Sequence, residues 1–228
     1  MKIHLLVILA FLAISYTGCK DSAYTPPPPS QANTYLPETA GSTWRYRDSI
    51  YSEPTDTATI AGVKIDTLTF TINGGTTDFN GRICYNVGIS SIQNGPGTAY
   101  FFAENHTFGL FEQVTPFGLT DFEVLVDPAS AGYSWVSAPT LNTLLNGSPI
   151  RSVNTIVEKN IVKKVGLQTF TDVIHTSVNF EINVNGAGFH NIAYYDFYLA
   201  KGIGLIEKDA YVYGNLNETE TILNYNIK

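Results

Sequence analysis

Val178-Asn179-Phe180-Glu181-Ile182-Asn183-Val184, followed by Asn185-Gly186, decides how the rest of the chain is read. Apolar and polar residues alternate with period two, the pattern of a strand with one face buried and the other in water. The Asn-Gly that ends the run supplies the positive φ angles of a type I′ hairpin turn. The same grammar recurs on both sides. Trp44 and Tyr46 alternate with Thr43, Arg45 and Arg47, and Leu68, Phe70 and Ile72 alternate with Thr69 and Thr71. Thr221, Leu223, Tyr225 and Ile227 are spaced by two. Asn73-Gly74, Asn80-Gly81, Asn94-Gly95 and Asn146-Gly147 mark further hairpins. Helical periodicity is confined to one short turn between Thr140 and Leu145. The expected class is all-β with little helix: an antiparallel curved sheet, either a half-barrel or a sandwich.

Two motifs occur twice in the same order. Pro37-Glu38-Thr39-Ala40-Gly41-Ser42-Thr43-Trp44 is echoed by Pro128-Ala129-Ser130-Ala131-Gly132-Tyr133-Ser134-Trp135. Tyr100-Phe101-Phe102-Ala103 leads to Phe108-Gly109-Leu110-Phe111-Glu112, as Phe197-Tyr198-Leu199-Ala200 leads to Ile203-Gly204-Leu205-Ile206-Glu207. Similar spacing implies two pseudo-repeated units, about 35–115 and 126–213, with a closing strand at 219–228. The alternative is convergent turn-then-strand grammar. In either case the Trp caps a core, and the later glycine permits a bulge or close packing against a Trp.

The N-terminus places the protein. Met1-Lys2-Ile3-His4 is cationic, Leu5 to Ile14 is apolar, and Ser15-Tyr16-Thr17-Gly18 brings small residues up to Cys19. The apolar run is too short to span a bilayer. Residues 1–18 resemble a bacterial lipoprotein signal peptide, with Cys19 in the lipobox position as the lipidated mature N-terminus; the alternative is an ordinary secretory signal with a chance cysteine. Lys20-Asp21 resembles a shortened surface-export signal of Bacteroidota lipoproteins. Residues 19–34 form a linker whose Pro26-Pro27-Pro28-Pro29 favours polyproline II, and 35–228 form one β-rich domain. The Pro-then-Gly-x-x-Trp motif and Tyr198-Leu199-Ala200-Lys201-Gly202-Ile203-Gly204-Leu205-Ile206 resemble lipoproteins of Bacteroidota. They are also similar to envelope proteins with the half-barrel sheet of the lipoprotein carrier LolA. The resemblance implies a lipid-anchored envelope protein, in the outer membrane and facing the periplasm or the surface.

The formal net charge of −7 makes nucleic acid and anionic membrane surfaces poor partners. With Cys19 acylated, Cys84 has no partner for an intrachain disulfide and reads as a small packed side chain in a strand.

Little in the sequence points to catalysis. His4, His106, His175 and His190 belong to no His-Glu-x-x-His or Cys/His pattern, and there is no Gly-x-Ser-x-Gly elbow. Asp172 and His175 fall on opposite faces of a strand. Asp121, Glu123 and Asp127 share a face, which is either solvated or a Ca²⁺ site. Gly186-Ala187-Gly188 and Gly202-Ile203-Gly204 lack the helix that a phosphate cradle needs. No enzyme, cofactor or metal is expected. Asp followed by Ser or Thr and a small or aliphatic residue occurs at Ser22, Ser49, Thr57 and Thr67, and resembles a Bacteroidota O-glycosylation motif. Asn105 and Asn217 head N-glycosylation sequons.

The expected function is a non-catalytic binding or assembly role at the envelope. The membrane is reached through the lipid anchor, and the partner is a protein, glycan or lipid. One alternative is a carrier whose cavity for an apolar ligand is lined by Trp44, Tyr46, Tyr100, Phe102, Trp135, Tyr195 and Phe197; simple core packing of these rings competes with it. The other is a hydrolase, which needs a cleft where His175 or His190 meets carboxylates.

Overall fold

The computed structural model describes residues 34–52, 62–79, 81–114, 117–139 and 144–228. They form thirteen strands. The first six are β1 (Thr43–Ser52), β2 (Gly62–Phe79), β3 (Arg82–Ser91), β4 (Gly95–Glu104), β5 (Thr107–Val114) and β6 (Gly118–Val126). Then come β7 (Ser134–Ser137), β8 (Leu144–Leu145), β9 (Ser148–Val165) and β10 (Gln168–Asn183). The last are β11 (Phe189–Ala200), β12 (Gly204–Val212) and β13 (Asn215–Asn226). Every pairing is antiparallel, in the order β6-β5-β4-β3-β2-β1-β13-β12-β11-β10-β9-β7, with β8 added to β9. The chain thus makes two meanders, joined where β1 pairs with β13.

The all-β class is as the alternation predicts. The sheet curls further than a half-barrel and is not a sandwich: it rolls into a nearly closed barrel. The two ends of the sheet meet at a seam. There the Asp121 N–H donates to the Pro139 carbonyl at 2.8 Å, the Trp135 indole N–H donates to Glu123 at 3.0 Å, and Lys159 reaches Asp127.

Inward residues of the alternating strands fill the lumen. Trp44, Tyr46, Phe70, Ile72, Val178, Phe180 and Phe197 are each buried to 98% or more. The chain enters at one end, where Thr34 to Pro37 are buried and the Gly202 N–H donates to the Thr34 carbonyl at 2.7 Å. At the same end the Trp44 indole N–H donates to the Ile203 carbonyl at 2.6 Å, and its ring lies against Gly204. A side chain on Gly204 would crowd both Pro37 and Trp44.

Bulges explain where simple alternation misplaces a residue. Asn73-Gly74 is no hairpin but an irregularity within β2, between Ile72 and Thr76. Ile222 is buried, whereas Leu223 is 42% exposed, because the β1–β13 register slips opposite Arg45 and Tyr46. Val184 lies past the end of β10 and is exposed. Leu144 and Leu145, expected at the end of a helical turn, form β8; residues 140–143 lie outside the described set. A second apolar cluster of Cys84, Phe102 and Phe111, with Phe79, Tyr100 and Leu119, sits apart from the main core.

Gly109 shows how tightly the first meander is packed. A Cβ there would stand 2.2 Å from the Phe102 ring and 2.3 Å from the Phe122 carbonyl. Gly109→Ala should cost about 3 kcal/mol or more. Gly97→Ala, whose Cβ would meet only Ile89 at 3.6 Å, should stay within about 1 kcal/mol. Urea unfolding of both variants checks this.

Candidate functional site

The charged centre of the barrel is Lys208, on β12. Alternation from buried Ile206 turns Lys208 and Ala210 to the lumen. The Lys208 ammonium contacts Glu220 at 2.6 Å, Glu218 at 3.0 Å and Glu112 at 3.3 Å. Glu218 and Glu220 come from neighbouring β13, while Glu112 crosses the lumen from β5. Asp48 of β1, register partner of Glu220, is 95% buried by its 5% exposure, and its Oδ1 has no hydrogen-bond partner.

Burial opposes the charge on Lys208, but Glu112, Glu218 and Glu220 together hold its pKa well above the ordinary lysine value. The Lys208 charge lowers the pKa of Glu218. Burial raises that of Glu220 well above the carboxylate range, against the pull of Lys208. Asp48 is pushed up to about 6, first by burial and then by Glu218.

This cluster divides the lumen. On the side where the chain enters, Leu36, Phe70, Phe101, Val124 and Phe197 surround a void of about 10 Å³, room for one water. On the other side a cavity of about 450 Å³ remains. Ile50, Val114, Phe117, Ile192 and Val212 supply apolar wall; Glu112, Lys208, Glu218 and Tyr195 supply the polar part. Exposed Gln113, Tyr213 and Asn217 are at its rim. It lies at the end carrying the β5–β6 and β12–β13 turns, opposite the end where Thr34 enters.

Of the seven aromatic residues singled out in the sequence, Tyr195 lines the larger cavity and Phe197 the small void. Tyr195 packs edge-on against Phe122 at 4.9 Å, and burial pushes its phenol up to about 12. Trp44 packs against Phe101, and Tyr46 packs against Phe70 while donating its hydroxyl proton to the Leu205 carbonyl. Tyr100 and Phe102 belong to the second apolar cluster, and Trp135 stacks on Tyr133 at the seam.

Elsewhere, His175 is held by Asp196 at 3.1 Å and Glu158 at 3.4 Å and stacks on Tyr198. It therefore does meet two carboxylates, but it lines neither the 450 Å³ cavity nor the small void. His190 is exposed. Asp121 and Glu123 both bind the Arg82 guanidinium, at 2.6 and 2.9 Å, while Asp127 turns to Lys159. Burial pushes the buried Cys84 thiol up to about 12, so the thiolate is disfavoured. Ser49 is 7% exposed and borders an outer groove of about 470 Å³ with Arg47 and Thr219; Thr67 is half-buried. Asp66, beside Thr67, accepts the N–H groups of Thr67 and Ile92, which gives that Asp-Thr pair a structural role. Asn105 has φ 49° in the β4–β5 turn. Cys19, Ser22 and Thr57 lie outside the described residues.

Sequence reasoning missed Asp48, Glu112, Lys208, Glu218 and Glu220 as a site. The available signal was phase: charged residues at inward positions of strands otherwise aromatic or aliphatic.

No family model matches the chain, and no curated protein matches it. Two solved structures are similar in fold. One is a Bacteroides fragilis protein described as exported and as having a YmcC-like fold; the TM-score is 0.50 at 10% identity, over 85% of this chain and 99% of that one. The other is a Parabacteroides distasonis protein described as a lipoprotein, with TM-score 0.45 at 12% identity over the same shares. At this identity the first likeness speaks to the fold alone.

Two predictions follow from the buried charges. Lys208→Met leaves three carboxylates facing one another, and should cost about 3–5 kcal/mol; adding Glu220→Leu should recover part of the loss. Urea midpoints of the single and double variants decide it. Asp48 binds its proton more tightly folded than unfolded. Its contribution is therefore intact below its unfolded value of 3.8 and lost as pH rises through about 6. Asp48→Asn should stabilise the protein by about 2 kcal/mol at pH 7.5 and leave it unchanged near pH 3.5, as read by thermal unfolding at both.

Proposed function

We propose that this is an exported, lipid-anchored envelope protein whose barrel binds a small ligand at the open end of its lumen without transforming it. The 450 Å³ cavity carries the reading. It falls within the usual range for ligand sites, with apolar walls and a few convergent polar groups. The signal-like residues 1–18 and Cys19 support export and anchoring at the outer membrane, and the Bacteroides fragilis neighbour is itself described as exported. The chain enters the described barrel at Thr34, and the cavity opens at the opposite end.

Native mass spectrometry of the full-length protein, purified from the envelope in mild detergent, tests this. A discrete added mass that Val212→Trp abolishes is the expected result. An added mass that is a lipid would favour the apolar-carrier reading. A clean unliganded mass would count against small-molecule binding and turn attention to protein partners.

A further inference from the structure

The groups at the floor of the cavity are unequal in sign and in what they leave free. Lys208, Glu112 and Glu218 are its charged lining residues. Lys208 hydrogen-bonds Glu220 and Glu112 and forms an ion pair with Glu218 at 3.0 Å. Its charge is therefore already met on three sides by the protein's own carboxylates. The carboxylates are in the opposite condition. Lys208 contacts Glu112 through Oε2 and Glu218 through Oε1, so each keeps acceptor capacity, and both side chains are partly open, at 18% and 28% exposure. Behind them Asp48 keeps an unpartnered oxygen at 95% burial on the lumen side of β1, two register pairs from Glu218 and directly opposite Glu220. Glu220 is held by Lys208 at the shortest of the three distances and is 2% exposed, so it is spent on the ammonium. The floor thus offers acceptors and surplus negative charge, with its one cation already met by carboxylates.

Resting on the binding reading above, we infer that the open lumen takes a small organic cation: a protonated amine or guanidinium carried on an apolar body. The cationic head would sit at Glu112 and Glu218, and the body would lie against Val114, Phe117, Ile192 and Val212. An anionic ligand would face the two carboxylates, with the one cation already met by the protein's own. A purely apolar one would bury them unpaired, a loss that polar sites use to reject ligands lacking the matching group.

The test is a titration of the full-length protein at pH 7 with three probes of one shape: phenethylamine, 2-phenylethanol and 3-phenylpropanoate. The expected order is amine, then alcohol, then carboxylate, with the amine at least about 10-fold tighter than the alcohol. Glu218→Gln should weaken the amine about 5-fold or more and leave the alcohol unchanged. Glu112→Gln, on the opposite wall, serves the same purpose where Glu218→Gln fails to fold. Val212→Trp should remove binding of amine and alcohol alike. Equal or reversed preference overturns the inference while leaving a binding pocket. Amine binding that survives Val212→Trp also overturns it, because the cation would then be held by the acidic surface. Binding of none of the three overturns both the inference and the pocket.

Discussion

Everything inside this barrel is arranged around one ammonium. Desolvating Lys208 costs several kcal/mol unless carboxylates meet it in good geometry. Glu218 and Glu220 do so from the adjacent strand, and Glu112 from a strand six places away in the sheet, 96 residues earlier in the chain. That pair ties β5 to β12 across the lumen. It also makes the two meanders one unit, since each contributes charge that the other must neutralise. Below the pair, aromatic and aliphatic side chains pack with room for one water; above it they do not meet.

Closing the roll poses a second problem. Edge strands expose unpaired backbone groups that invite pairing with other chains. β6 and the β7 region face each other at the seam, joined by the backbone hydrogen bond from Asp121 to Pro139 and by side chains. The Trp135 indole, the Arg82 guanidinium and Lys159 all end on carboxylates of β6 or of the residue just after it. Arg82 also lies over the Phe102 ring at 4.2 Å, tying the seam to the second apolar cluster. Trp44 and Trp135 occupy comparable places: each is near the start of its meander, and each indole donates to an acceptor in the other meander.

The fold was legible because period-two patterning is local. Val178 and Phe180 turn inward as their alternation requires, as do Trp44 and Tyr46. What could not be read was curvature. A half-barrel and a nearly closed barrel have the same strand grammar, and they differ in bulges such as the one at Leu223. The site was illegible for another reason. Aromatic residues drew attention as a possible lining, yet rings such as Trp44, Tyr46 and Phe102 find partners and pack. The open lumen is instead marked by charges, whose partners lie strands apart. Glu112 and Lys208 become a pair only when the sheet rolls, and no spacing rule relates positions 112 and 208.

Stability alone does not explain the cluster. Buried ion pairs are often replaced by apolar residues of similar size without loss, and the lower lumen shows that this sequence can pack such residues densely. Here the arrangement is costlier than a simple pair. Three glutamates surround one lysine, Asp48 adds an unpartnered oxygen nearby, and burial raises the pKa of both Asp48 and Glu220. A fold that only had to be stable would shed the surplus carboxylates. Their position argues for use, since Glu112 and Glu218 stand where the packed lumen gives way to the cavity, on the side reached from the rim. Local rules broken at such a boundary mark a functional or strained site.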